Sequence, residues 1–583
     1  MMVMRIVVLS PQQQQQQQLQ WVAHFSSFSP TGVFSSPPQQ GHISEGPQRV
    51  LNRTVRWRQS RDSWQKDTAP TRRSVGNGQR DHRMLTQTGR RVTRPYEQRE
   101  VRRQHVRLEP DISPHRAVAV VRLLRIEEGG AYADMLSGEG EKSWEDEMAY
   151  LGRTLGFCTS ELDLRGRRLV TDEVAGVVRW KRYLDFLILS FFKRDLQDYE
   201  RMEPLLRQIL RVGIYELVKL EMAPHAVLNE AMKLAKVALR PGAGNMVNGL
   251  LRSVLAYQEM GKLPFPSLEG DDERSRARAL ATIHSHPVWM VRRWMAQFGE
   301  GNTVRLMECN NRRPIFALRA NSAQGVSRTD LISELEKLEV AHVESPYLQD
   351  FVRVSIGMQD VLRSGLLQNG SCAVQDESAG LVVGVVDAQP GDTVIDCCAA
   401  PGGKALFLAS KMKGQGKVVA VDVNEGRLRM LTEAAKVQGV SDIVISCHYD
   451  LRDYAAKVAR SADRVLLDAP CSGLGVLSKR ADLRWRRTPE DLQQLTNLQD
   501  DLLEAAALLV RSGGVLVYST CSIEPAENSD RIGFFLSKHP EFTIETVESF
   551  VPATMVSEEG FFCSYPHEHQ MDGAFAARMR RAT

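Results

Sequence analysis

Between residues 393 and 519 five short apolar runs alternate with amphipathic stretches, and no other feature of this chain restricts its fold as tightly. The runs are 393–397, 417–422, 442–447, 464–468 and 514–519, and the clearer helical stretches are 404–411, 425–438 and 489–510. Strands separated by helices pair in parallel, because each helix carries the chain back to the edge it left. The rhythm therefore predicts an α/β, doubly wound, mostly parallel, Rossmann-like sheet from about residue 369 to the end. Its last helix has a legible start, with Thr488 as N-cap, Pro489 at the first position and Asp491 where a capping-box acid belongs.

In such a sheet ligands bind at the carboxyl ends of the strands, and the first strand enters its helix through a glycine-rich turn. Here Asp396 ends the strand, and Pro401-Gly402-Gly403-Lys404 makes the turn. The pattern is neither G-x-G-x-x-G nor a P-loop. The next strand ends in Asp422, where a carboxylate can accept both hydroxyls of a ribose. Asp450 follows the third strand and is placed to reach an adenine amino group. Together these acids outline an adenosine-shaped slot.

The remainder of the 583 residues divides by composition. Residues 1–110 carry 18 Lys/Arg against 7 Asp/Glu, a run of seven Gln from Gln12 to Gln18, Ser-rich stretches and little apolar periodicity. Such a segment buries no core. Only Glu45 is acidic in the first 60 residues, so this segment reads as an organellar transit leader, the alternative being a basic tail that touches RNA. The other 57 Lys/Arg and 64 Asp/Glu leave residues 111–583 mildly acidic, so any RNA surface there must be a local basic patch. Helical periodicity dominates 111–260, with stretches at 161–168, 171–192, 204–221 and 224–238. A small α+β connector is expected over 261–368, with extended runs at 315–320 and 351–355 and a helix at 328–338. No run of about 20 apolar residues suits a bilayer, so no membrane partner is expected. Nine cysteines in so long a chain do not suggest a disulfide framework. Cys397-Cys398 has no second pair at zinc spacing, so no metal is expected.

Cys471 in Asp468-Ala-Pro-Cys-Ser and Cys521 in Ser519-Thr-Cys-Ser522 stand fifty positions apart, after the turn. The pair suggests one cysteine that attacks a base and another that helps release it.

Cys398-Ala399-Ala400-Pro401-Gly402-Gly403-Lys404, Asp468-Ala-Pro-Cys-Ser-Gly473 and Thr520-Cys-Ser522 resemble the motifs of the RNA cytosine-5 methyltransferase family, nearest to its Sun/RsmB type. Ala223-Pro-His-Ala-Val-Leu-Asn-Glu-Ala-Met232 and Asn245-Met-Val-Asn-Gly-Leu-Leu-Arg252 resemble that type's NusB-like RNA-binding domain. Val374-Gln-Asp-Glu-Ser378 and Asp572-Gly-Ala-Phe575 resemble the entry to the catalytic domain and its closing motif. The resemblance implies S-adenosylmethionine as the cofactor, held by the turn from Cys398 to Lys404 with Asp422, Asp450 and Asp468. It implies ribosomal RNA of the small subunit, free or in a pre-ribosomal particle, as the partner.

It also implies roles. Cys521 would attack C6 of cytosine, so that C5 becomes nucleophilic. Asp468 would orient the base, and Cys471 would assist release. DNA cytosine methyltransferases place their nucleophile in the Pro-Cys motif, so the second cysteine motif argues for RNA. The stretch from Ser478 to Arg487 sets Lys479, Arg480, Arg484, Arg486 and Arg487 around Trp485 and reads as a surface for phosphate contact and base stacking. Its wording resembles cyanobacterial and plastid members, which with the leader places the protein in a chloroplast stroma before a mitochondrion. Two alternatives stand beside this: the same chemistry on transfer RNA or large-subunit RNA, and a non-catalytic RNA-binding assembly factor.

Overall fold

The computed structural model describes residues 107–583 apart from 110, 132–140, 193–195, 270–271 and 459. The expected leader lies outside these, except that Arg107 and Leu108 pair in parallel with Phe157 and Cys158, so the folded part begins slightly earlier than composition suggests.

The first part is helical: α1 (Pro114–Glu127), α2 (Glu141–Leu155), α3 (Leu164–Phe191), α4 (Pro204–Val218), α5 (Pro224–Ala238) and α6 (Pro241–Glu259). Proline opens α1, α4, α5 and α6, at positions where its missing N–H costs nothing and its fixed φ suits the helix. The stretches expected at 161–168 and 171–192 are one helix, α3, whose N-cap Asp163 accepts from Gly166 N at 2.6 Å. Val120, Leu184, Leu187, Ile188, Leu210, Ile214, Val247 and Leu251 form its core.

Charges buried in this core are mostly mated. Arg211 donates to Asp185 at 2.7 and 2.9 Å and to Glu127 at 2.6 Å. Arg116 donates to Glu216 at 3.0 Å. Glu173 has neither carboxylate oxygen hydrogen-bonded, so burial, then the adjacent Glu216, pushes its carboxyl well above the usual range.

The connector opens with two helices ahead of its extended runs, α7 (Glu273–Ile283) and α8 (Val288–Asn311); α8 kinks at Gly299, φ 74°. A four-stranded antiparallel sheet of β1 (Phe316–Ala320), β2 (Ala341–Glu344), β3 (Phe351–Ile356) and β4 (Cys372–Val374) follows in the order β2-β3-β1-β4, with α9 (Arg328–Lys337) packed on it.

Then come α10 (Glu377–Val386), β5 (Thr393–Cys397), α11 (Gly403–Lys411), β6 (Lys417–Asp422), α12 (Glu425–Val437), β7 (Val444–His448), α13 (Leu451–Lys457), β8 (Ala462–Asp468), α14 (Leu483–Arg486), α15 (Pro489–Leu509), β9 (Val510–Thr520), α16 (Ser529–Lys538), β10 (Phe542–Glu545), β11 (Phe562–Ser564) and β12 (Ala574–Arg581). The sheet runs β10-β12-β9-β8-β5-β6-β7, with β11 on β12. β5 to β9 pair in parallel, while β10 to β12 add an antiparallel flank that apolar alternation alone does not announce. Along β5, β8 and β9 successive side chains serve opposite layers. Val394, Leu466 and Val517 pack with α10, α11 and α12, and Ile395, Leu467 and Tyr518 pack with α13, α15 and α16. Burial on both faces explains why these runs read as continuously apolar.

Candidate active site

The turn after β5 is pinned at both ends. Ala399 N donates to Val421 O and Ala400 N to the Asp422 carboxylate, both at 3.0 Å. The other Asp422 oxygen accepts from Asn424 N at 2.8 Å. Cys398 has a φ of 63°, and Gly402 a φ of 111° that side chains rarely adopt. A Cβ at Gly402 would also lie 2.7 Å from Leu431 of α12, so glycine lets the turn close on the helix. Gln375 donates to Gly403 O at 3.0 Å.

At the end of β5 lies Asp396, 1% exposed, with neither carboxylate oxygen hydrogen-bonded. Burial, then the charge of Asp468, pushes its carboxyl well above the usual range, and Lys404 opposes them. Lys404 Nζ donates to Asp468 at 2.7 Å, and Ser519 Oγ donates to the other Asp468 oxygen at 2.9 Å. Burial alone would lower Lys404, but Asp468 outweighs it, with help from Cys521 and Asp396, and holds the ammonium above its ordinary value. Lys404 therefore stays charged.

Asp450 lies near enough to the turn for its charge to reach Cys398, but its oxygens are engaged elsewhere. It is the N-cap of α13, accepting from Arg452 N at 2.9 Å, and the Arg452 guanidinium holds both its oxygens at 2.9 and 2.7 Å. A carboxylate whose lone pairs serve a helix terminus and a fork of guanidinium N–H groups has little left for an adenine.

Cys471 and Cys521 leave adjacent parallel strands, β8 and β9, and their sulfurs come within 3.3 Å. The loops are joined by backbone too: Gly475 N donates to Cys521 O at 3.0 Å and Gly573 N to Gly475 O at 2.8 Å. A Cβ on Gly475 would meet Gly573 O at 2.2 Å and Cys521 O at 2.8 Å, so no side chain fits there. The closing motif thus packs on both cysteine loops.

The basic stretch corrects an expectation. Arg484 is completely buried, and its guanidinium donates to the carbonyls of Arg179, Ser285, Asn310 and Leu477 and to Asn311 Oδ1. Trp485 Nε1 donates to Val178 O at 2.6 Å, and Arg486 to the carbonyls of Gly130 and Ala131. Lys479 bridges Asp376 and Asp572, and Arg487 donates to Ser472 O at 2.9 Å and Cys471 O at 3.2 Å. Arg480 is half-buried. These donors meet carbonyls in the middle of α3, near helix ends and in loops, so the stretch is an internal clasp between the helical part and the Cys471 loop and not an exposed surface for phosphates.

Nothing periodic in the sequence marks three other contributors. Glu527 accepts from the residues that follow both cysteines. Glu524, 1% exposed, accepts from Arg293 at 2.7 Å and Trp294 Nε1 at 3.1 Å, and Gln297 donates to Ile523 O at 3.1 Å, so α8 braces the Cys521 loop. The only trace of Glu524 and Glu527 is position, a few residues after a motif cysteine, and the α8 residues leave none.

The 16S rRNA methyltransferase RsmB/F family matches residues 383–580, the NusB family residues 133–256, and the ferredoxin-like domain of RsmF/B-like methyltransferases residues 286–359. A probable ribosomal RNA small subunit methyltransferase B of Bacillus subtilis is 30% identical over 80% of this chain and 98% of its own length. Its counterpart in Synechocystis is 35% identical over 71% of this chain and 91% of its own. The solved structure of PH0851 is 27% identical with a TM-score of 0.64, covering 81% of this chain and 99% of that one. With a glycine-rich turn between two strand-end acids and two cysteines in contact beside it, this chain belongs to the ribosomal RNA small subunit methyltransferase B family.

Proposed function

We propose that this protein methylates C5 of a cytosine in small-subunit ribosomal RNA through a covalent bond between Cys521 and C6. The observation that carries the reading is the contact of two thiols at 3.3 Å beside a half-buried Lys404–Asp468 pair. S-adenosylmethionine fits this site: Asp396 is a buried carboxylate with no hydrogen-bond partner at the carboxyl end of β5, and Asp422 retains acceptor capacity at the end of β6. Asp396, Asp422 and the turn from Cys398 to Lys404 would hold it. When bound, it supplies the methyl group.

Cys521 adds its electron pair to C6, which sends ring electrons to C5 and N3. Lys404 keeps positive charge beside the sulfur; N3 takes up a proton from water as the electron pair reaches it and gives that proton back on elimination, and Asp468 accepts from the cytosine amino group and from the N3–H so formed. C5 then gains the methyl group and must lose its proton, which Cys471 assists. The Cys521–C6 bond breaks, the electron pair returns to sulfur and aromaticity is restored.

Phosphate contact is sought on the exposed face of α8, where Arg292 and Arg293 border the loop of Ile523 and Glu524. We place the protein in a chloroplast stroma, a reading that rests on the acid-poor, Arg- and Ser-containing first 60 residues. A fluorescent fusion of residues 1–110 tests it, and cytosolic fluorescence would overturn it.

The chemical test is Cys471→Ala with small-subunit RNA and S-adenosylmethionine. An SDS-resistant protein–RNA adduct should accumulate and should vanish when Cys521→Ala is added; absence of any adduct would remove the assigned roles. Bisulfite sequencing of ribosomal RNA from cells lacking the protein tests the substrate. Unchanged small-subunit cytosines with a lost transfer RNA or large-subunit site would move the activity there.

A further inference from the structure

Glu527 is fully buried at the end of a short turn, Pro525–Glu527, and no cation pairs with it among the described residues. Its carboxylate is held by four neutral donors. One oxygen accepts from Ser472 N at 2.8 Å and Gln499 Nε2 at 3.1 Å, and the other from Ser472 Oγ and Ser522 Oγ, both at 2.5 Å. Ser472 directly follows Cys471, and Ser522 directly follows Cys521. One anion therefore grips the two loops one residue beyond each sulfur.

The grip is braced. Tyr518 Oη donates to Glu527 O at 2.7 Å, Asn528 Nδ2 to Ser522 O at 2.9 Å, and Gln499 Nε2 also to Pro470 O at 2.9 Å. A buried charge held only by neutral dipoles costs desolvation that an apolar or amide side chain would avoid. The charge also has a chemical effect within reach. The hydrogen bond to Cys521, then burial, holds the Cys471 thiol well above its usual range, and Glu527 adds to both.

We propose that Glu527 is a positioning residue for the methyl transfer, its carboxylate clasping the two cysteine loops together so that addition and release act on one cytosine. This rests on the cysteine roles proposed above. Without the clasp the loops keep their strand anchors and the Gly475–Cys521 backbone bond but lose the grip on the residues next to the two sulfurs, and misplacement by about 1 Å costs on the order of a hundredfold in rate.

The test uses the full-length protein, a small-subunit RNA transcript and S-adenosylmethionine. In a Cys471→Ala background, Glu527→Gln should slow single-turnover adduct formation by about a hundredfold while cofactor affinity holds. In a Cys521→Ala background, the pH midpoint for alkylation of Cys471 by iodoacetamide should fall by about one unit when Glu527→Gln removes the charge. A residue that served folding alone would lower the melting temperature and move neither reading. Adduct formation at the parent rate with an unmoved alkylation curve overturns the proposal. If Glu527→Gln fails to fold, Glu527→Asp keeps the charge but shortens the reach, and should slow the adduct while leaving the alkylation midpoint in place. Parent behaviour of Glu527→Asp in the adduct assay would equally overturn it. If Cys471→Ala alone yields no adduct, the cysteine roles fall, and the alkylation arm still decides for or against Glu527.

Discussion

The stretch from Lys479 to Arg487 and the turn from Asp396 to Lys404 both look functional, yet their charged groups meet opposite fates. Arg484 gives its terminal NH2 groups to five protein acceptors and leaves only Nε without one, whereas neither carboxylate oxygen of Asp396 has a hydrogen-bond partner. Both are buried. Desolvation must be offset, so a satisfied buried charge argues for architecture, and an orphaned one beside a ligand-binding turn argues for a missing partner. A count of charges in the sequence cannot separate these cases.

The largest expected effect tests the satisfied side. Arg484→Ala strands several buried carbonyls and should cost about 3–5 kcal/mol in chemical denaturation, with the salt dependence of RNA binding unchanged. If stability held while the salt slope fell by about one, Arg484 would be a phosphate contact and the contrast would break.

A second test sharpens the orphan side away from the cofactor turn, at Glu173. Burial and Glu216 raise its folded pKa, so its stabilising protonation is fully present below the unfolded value near 4.5 and is lost as pH rises through the folded value. Arg116 and the His115 imidazole, itself lowered to about 4 by burial and then Arg116, also face this site, as does Glu230 through its charge. Glu173→Gln keeps a neutral side chain at every pH. Urea midpoints should therefore match the parent near pH 4 and exceed it at pH 8. A variant less stable at pH 8 would mean that the carboxylate has a cationic partner there.

Asp450 gives the smallest effect. Asp450→Ala removes a helix cap and should cost about 1 kcal/mol, with S-adenosylmethionine affinity measured by calorimetry nearly unchanged. A tenfold loss of affinity would return Asp450 to the adenosine slot.

Legibility followed the range of the interactions. β5 and β6 stand where the apolar runs put them, because burial on both faces writes itself into consecutive residues. α15 begins as Thr488, Pro489 and Asp491 announce, because a cap is a local hydrogen bond. The turn and the cysteines are readable as motifs, and their order along the chain places them at strand ends. The antiparallel flank of β10 to β12 is not readable, since its pairing joins segments such as Phe542–Glu545 and Ala574–Arg581 that lie far apart. Arg484 and Glu527 fail for the same reason. What each does depends on partners up to 305 residues away for Arg484, or 55 for Glu527, and a side chain's partners leave no mark on its own position.

The cysteine loops also bear on how far this chain can be cut. Leu474, Leu477, Leu483 and Ile523 share a core with Leu280, Val291 and Trp294 of α7 and α8, while Ala481 and Trp485 pack against the helical part. A fragment beginning at residue 369 would keep every motif residue and still expose that seam to water. Domain boundaries drawn by sequence matching are thus poor guides for truncation here, because the cysteine loops draw part of their core from the helices that precede the sheet.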